Sequence, residues 1–233
     1  MGPKSFRVAL SEFTCLALDG DGIPGPAYLL WLPVIGLATV AVVLSVYVPL
    51  ALFYLPGDVA GVIALVVLGG LRGLRAETEF GRLADYGFGA RSRFSRGTIV
   101  AAPGVTLLSG AFLFRYAVLR LFLMPDAARL LAFGTLASFL APLFVPKTGL
   151  RTAPYLGAVT LAAASLLCVH ANRFSAGSIA FFRGPLVCFV FVYLSVRFVS
   201  RLVVITAARP NAVALPAELA GYLGFLVVRY QFI

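Results

Sequence analysis

Between Asp21 and Asp58 the chain carries no charged residue. About 20 apolar residues in a helix cross the roughly 30 Å hydrocarbon core of a bilayer. The run from about Ala27 to Leu55 is therefore long enough for one tilted span. Pro24 and Pro26 suit its start, Pro33 sits in its first turns, and Pro49 is positioned to kink it. Pro56-Gly57-Asp58 then reads as a turn.

Such a run could be the core helix of a soluble protein, but the rest of the chain excludes that. Of 233 residues, 61% are hydrophobic and 12% are charged, whereas a soluble domain is near a quarter charged. The apolar excess is spread over nearly the whole length, so a single anchor does not account for it. The expected fold is all-α: a polytopic transmembrane helical bundle, one integral membrane domain over residues 1–233. Further apolar segments lie near Val59–Leu71, Thr98–Phe114, Leu130–Val145, Pro154–His170, Gly184–Val196 and Ala212–Val228. Tyr116–Met124 either extends the Thr98–Phe114 segment or forms a short helix around Arg120. The reading predicts six or seven spans.

One interior stretch is strongly polar. Residues 72–97 hold Arg72, Arg75, Arg82, Arg91, Arg93 and Arg96 together with Glu77, Glu79 and Asp85. This is either a loop or a catalytic insertion at the membrane surface, and the positive-inside rule places it in the cytoplasm. The net charge of +10 fits cationic loops touching anionic lipid headgroups, with membrane lipids rather than nucleic acid as the partner. An anionic substrate such as a phosphate ester is the competing explanation.

Arginines 115, 120, 173, 183, 197 and 201 flank apolar stretches, and the plain reading is that they snorkel to the interface. Cys15, Cys168 and Cys188 form no metal or disulfide pattern, and His170 is the sole histidine. The N-terminus is no clear signal peptide, because Glu12, Asp19 and Asp21 interrupt its apolar stretch.

Several strings, in order, resemble one family. ALSEFTCLAL (residues 9–18) is similar to an A-L-x-F-L-T-R-L-P opening, and WLPVIGL (31–37) to F-P-L-V-G-L. GGLRGLRAETEFGRLADYGFGARSR (69–93) falls where a Gly-Gly run precedes H-L-D-G-L-A-D-x-x-D-G and an R-S-R. PKTGLRTAPYLG (146–157) resembles a later glycine loop. RLVVITAARPNAVALPAELAGYLGFLV (201–227) falls on G-G-x-T-G-D-x-L-G-A-x-x-E-L. Together they resemble cobalamin synthase, the adenosylcobinamide-GDP ribazoletransferase family.

The resemblance implies a magnesium-dependent phosphotransferase in a bacterial or archaeal cytoplasmic membrane. Its corrinoid nucleotide substrate would receive α-ribazole or its phosphate and release GMP. In such chemistry carboxylates hold the magnesium, which bridges phosphate oxygens, and arginines clamp the phosphate.

Carried over residue by residue, the resemblance assigns catalytic roles to Asp85, Glu218 and Glu79. It assigns magnesium ligation to Asp85, Glu218 and Asn211, and substrate-phosphate binding to Arg82, Arg91 and Arg93. Glu77 is a possible substitute acid. The chain departs from the pattern in several places. Gly81 stands where the first aspartate belongs, Phe88-Gly89 replaces an Asp-Gly, Ala101-Ala102 replaces a Lys-Asp, and Asn211 replaces the aspartate of T-G-D. An active enzyme would bring Glu79, Asp85, Asn211 and Glu218 into one cavity at the cytoplasmic face.

The alternative is a non-catalytic membrane paralogue acting as partner, scaffold or lipid-binding subunit. Glu218 would then pair with an arginine such as Arg201 or Arg209, and Asp85 with Arg82 or Arg91. A transporter is disfavoured by the lack of matching broken helices in two halves. A CDP-alcohol phosphotransferase is set aside because the D-G-x-x-A-R opening is absent.

Overall fold

The computed structural model describes residues 3–16, 26–88, 100–145, 152–170, 178–206 and 210–231. Among the described residues there are nine α-helices and no strand: α1 Pro3–Phe13, α2 Leu32–Pro49, α3 Gly57–Leu71, α4 Arg75–Gly87, α5 Ala102–Arg120, α6 Met124–Leu140, α7 Ala153–His170, α8 Ser178–Thr206 and α9 Ala214–Gln231.

Five helical stretches are long and apolar enough to cross a membrane: Ala27–Phe53, Ala102–Arg120, Met124–Phe144, Gly184–Val203 and Pro210–Arg229. The bent pair α3 and α4 makes a sixth if counted as one broken span, and Ala153–Cys168 is a shorter apolar helix. The chain is an integral membrane protein built as a helical bundle.

The first span runs on through Pro49 as one helical stretch to Phe53. Past the proline the chain widens into one π turn, Leu50–Tyr54, where Leu55 N–H donates to the Leu50 carbonyl at 2.8 Å. Two boundaries differ from the apolar reading. α6 begins at Met124 rather than near Leu130, because Pro125 suits a first helical turn and Asp126 is favoured at a helix N-terminus. α8 runs on to Thr206, carrying Arg197 and Arg201 on exposed positions.

α6 is the inner helix. Every residue from Leu130 to Leu140 is buried, against α2, α7 and α9. α8 and α9 pack as neighbours, with the Ser195 hydroxyl donating to the Pro216 carbonyl at 3.2 Å. Asp126 accepts from Arg229 at 3.1 Å, tying the start of α6 to the last turn of α9. The outer helices turn large apolar side chains outward, among them Leu37, Leu113, Leu167 and Phe198. In water that surface would aggregate. In a bilayer it is the solvated face.

The bend between α3 and α4 positions the polar residues. Gly73 N–H donates to the Gly70 carbonyl and Leu74 N–H to the Gly69 carbonyl, both at 2.9 Å. This pair of bonds is a Schellman closure. Gly73 takes φ +59°, a conformation that costs little only for glycine. The chain leaves the closure at 84° to α3 and re-enters a helix at Arg75.

The residues around the end of α1 hold this corner. Cys15 N–H donates to the Leu71 carbonyl at 2.7 Å, and Arg75 donates to the Ser11 carbonyl. Asn211 Nδ2 donates to the Glu12 carbonyl at 3.0 Å.

Candidate functional site

The polar stretch is largely a helix. α4 turns Ala76, Gly81, Leu83 and Ala84 inward, as an amphipathic helix should. Glu79 and Asp85 share that buried side. Buried carboxylates need partners, and α4 finds them in three ways.

Glu218 lies in the second turn of α9 and is fully buried. Its Oε2 accepts from Arg72 Nη1 at 2.8 Å and from Arg115 Nη2 at 2.6 Å. Glu77 completes the set from α4: its Oε1 is 3.4 Å from Arg115 Nη2 and 3.8 Å from Arg72 Nη1. Arg72 and Arg115 are themselves buried. Two cations and two anions from the α3 corner, α4, α5 and α9 thus neutralise one another inside the bundle. That is how ionisable groups within a membrane protein are usually accommodated. Arg201 is exposed and is not among the described partners of Glu218, and Arg209 lies outside the described residues. Arg115 does not snorkel. It turns into the bundle.

Asp85 is also fully buried, and its partners are backbone amides. Oδ2 accepts from Ala101 N–H at 2.6 Å and Oδ1 from Gly104 N–H at 2.7 Å. Ala101 is the cap residue of α5 and Gly104 its third residue. The first amides of a helix have no partner within it, and its N-terminus is electropositive. One carboxylate from a neighbouring helix fills both needs, where a cap residue such as Ser or Asp would ordinarily serve.

The approach of α4 to α5 is close. A Cβ on Gly104 would stand 2.7 Å from Asp85 Oδ1 and nearer still to the Gly81 carbonyl. Glycine at 104 lets the carboxylate reach the helix end.

Glu79 pairs with Arg82 on its own helix at 3.0 Å, so Arg82 is not the partner of Asp85. Asn211 lines a small cleft of about 10 Å³ with Arg72, Arg75 and Ser138. Arg91 and Arg93 lie outside the described residues.

The structure therefore divides the sequence-derived site residues. Glu218 joins Arg72, Arg115 and Glu77. Asp85 joins the start of α5, Glu79 joins Arg82, and Asn211 joins the end of α1. For magnesium the test is whether free oxygens converge. Both Asp85 oxygens accept amide protons and Glu218 Oε2 faces two guanidinium groups, whereas Glu218 Oε1, Glu77 Oε2 and Glu79 Oε2 are buried without a hydrogen-bond partner. Asn211 Nδ2 donates to the Glu12 carbonyl. Among the described residues no three of His, Cys, Asp and Glu are grouped to hold a metal. As arranged, the described residues do not fit the ion.

No protein-family model, curated protein or solved structure matches the chain.

The sequence reading gave Glu218 either a catalytic and magnesium-binding role or a pairing with Arg201 or Arg209. It missed Arg72 and Arg115 as the groups that neutralise it. The available signal was Arg115 itself, well inside what became α5 rather than at its end.

Proposed function

We propose that this chain is a non-catalytic membrane protein, a scaffold or partner subunit whose buried acids serve the fold. The observation that carries the reading is the occupation of Asp85 and Glu218. One closes the start of α5, and the other is clamped by Arg72 and Arg115. A phosphotransferase needs carboxylates with oxygens free for metal, or for a proton from the nucleophile. Asp85 spends both oxygens on the α5 amides and Glu218 spends Oε2 on two guanidinium groups. Glu218 Oε1 has no hydrogen-bond partner, but among the described residues no three acids, cysteines or histidines are grouped to share a metal.

The resemblance to cobalamin synthase then concerns ancestry and architecture, since a fold hosts functions without guaranteeing any one. In this reading the chain resides in a bacterial or archaeal cytoplasmic membrane. The arginine-rich side, around Arg72 and Arg75, faces the cytoplasm, as the positive-inside rule requires.

The test is to incubate the purified full chain with adenosylcobinamide-GDP, α-ribazole and magnesium and to follow GMP. The expected result is release no faster than in the protein-free control. Magnesium-dependent GMP release that disappears in Asp85→Ala, with the bundle still folded, would establish the transferase instead.

A further inference from the structure

A groove of about 690 Å³ opens on the flank of the bundle between α4 and α5 on one side and α8 and α9 on the other. Its volume is within the range of small-ligand sites, and its walls are almost wholly apolar. Phe80, Phe88, Leu107, Phe198, Leu202 and Leu223 form much of them. The space exists because Ala84 and Gly87 of α4 and Ala220 of α9 are small where they line it. Five lining side chains are well exposed: Phe88 at 69%, Phe198 at 68%, Leu202 and Leu223 at 39%, and Leu107 at 38%.

Two further observations specify the occupant. From Phe191 to Leu202 the groove follows α8 for about 16 Å at 1.5 Å per residue. That is about half of the roughly 30 Å hydrocarbon core, the depth of one leaflet and the reach of one acyl chain. At the Leu202 end stands Arg201, two residues before the end of the Gly184–Val203 span, with Arg197 one turn earlier. Both are exposed, and neither has an acidic partner among the described residues. A cation with no acidic partner among the described residues, one position along α8 from the groove-lining Leu202, is complementary to a negatively charged headgroup whose chain lies in the groove.

We infer that this groove holds one acyl chain of an anionic phospholipid, with the lipid phosphate at Arg201. The site adds a ligand to the non-catalytic reading without depending on it. GMP release would overturn that reading and leave lipid retention unchanged.

The test places the full chain in nanodiscs of equal phosphatidylglycerol and phosphatidylcholine and counts the lipids retained after mild detergent extraction by native mass spectrometry. The expected result is one retained phosphatidylglycerol per chain in preference to phosphatidylcholine. Arg201→Gln should lower that preference about fivefold, the effect of one arginine near a charged headgroup. Ala220→Phe, which fills the groove, should abolish retention of either lipid while Arg201 is intact. If Ala220→Phe fails to fold, the exposed Arg201→Gln substitution decides alone. Equal retention of both lipids by the unaltered chain would overturn the proposal. So would a preference untouched by Arg201→Gln, or a dimer that replaces the lipid-bound monomer and disappears in Ala220→Phe.

Discussion

Arg72 donates to Glu218 at 2.8 Å across 146 residues of chain. The bond joins the corner after α3 to the second turn of α9, and Arg115 fastens α5 to the same oxygen. Removing one member leaves its partners charged and buried, which is worse than never having had the set. Glu218→Ala is expected to destabilise the bundle by about 3–5 kcal/mol, read as loss of folded protein in a denaturant titration in detergent. Arg72→Met should cost a similar amount alone. The double variant Arg72→Met with Glu218→Leu should cost clearly less than the sum. Full additivity would show that the two side chains do not act as a pair.

Asp85→Ala removes the acceptor for two amides at the start of α5. Losing a helix cap costs about 0.5–2 kcal/mol, and burying the orphaned amides moves the effect toward the upper end. Hydrogen exchange at Ala101 and Gly104 should accelerate, while that of α6 should follow only the global loss. Asp85→Asn keeps one good acceptor and should fall between. Unchanged exchange at both amides would mean that Asp85 is not the cap.

Gly73→Ala forces an L side chain into a left-handed conformation at the 84° corner. The expected loss is about 1–2 kcal/mol, seen as a lower unfolding temperature. The added Cβ would also press on Cys15, 3.4 Å from its Cα. A neutral result would show that the corner relaxes to another backbone path.

These residues show what could be read from the sequence and what could not. The first span was legible because Asp21 and Asp58 bracket a charge-free stretch, and its end because Pro56-Gly57 cannot continue a helix. The helical nature of 75–87 was hidden. Its inward positions include Glu79 and Asp85, so an apolar stripe is not visible until their partners are known. Those partners are distant in sequence: amides 16 and 19 residues on for Asp85, and arginines 146 and 103 residues away for Glu218. Sequence proximity pointed Glu218 to Arg201 or Arg209. Helix packing leaves Arg201 exposed and supplies Arg72 and Arg115 instead, by bringing the corner after α3 and the second half of α5 against α9; Arg209 lies outside the described residues.

The central claim is that Asp85 and Glu218 serve separate structural sets rather than one metal site. A double-mutant cycle on Asp85→Ala and Glu218→Ala, run on folding stability with and without magnesium, tests it most directly. The account predicts that the two losses add within about 0.5 kcal/mol, as for residues without shared partners, and that magnesium changes neither. A coupling well above that value, present only with magnesium, would contradict it and place both carboxylates around a common ion.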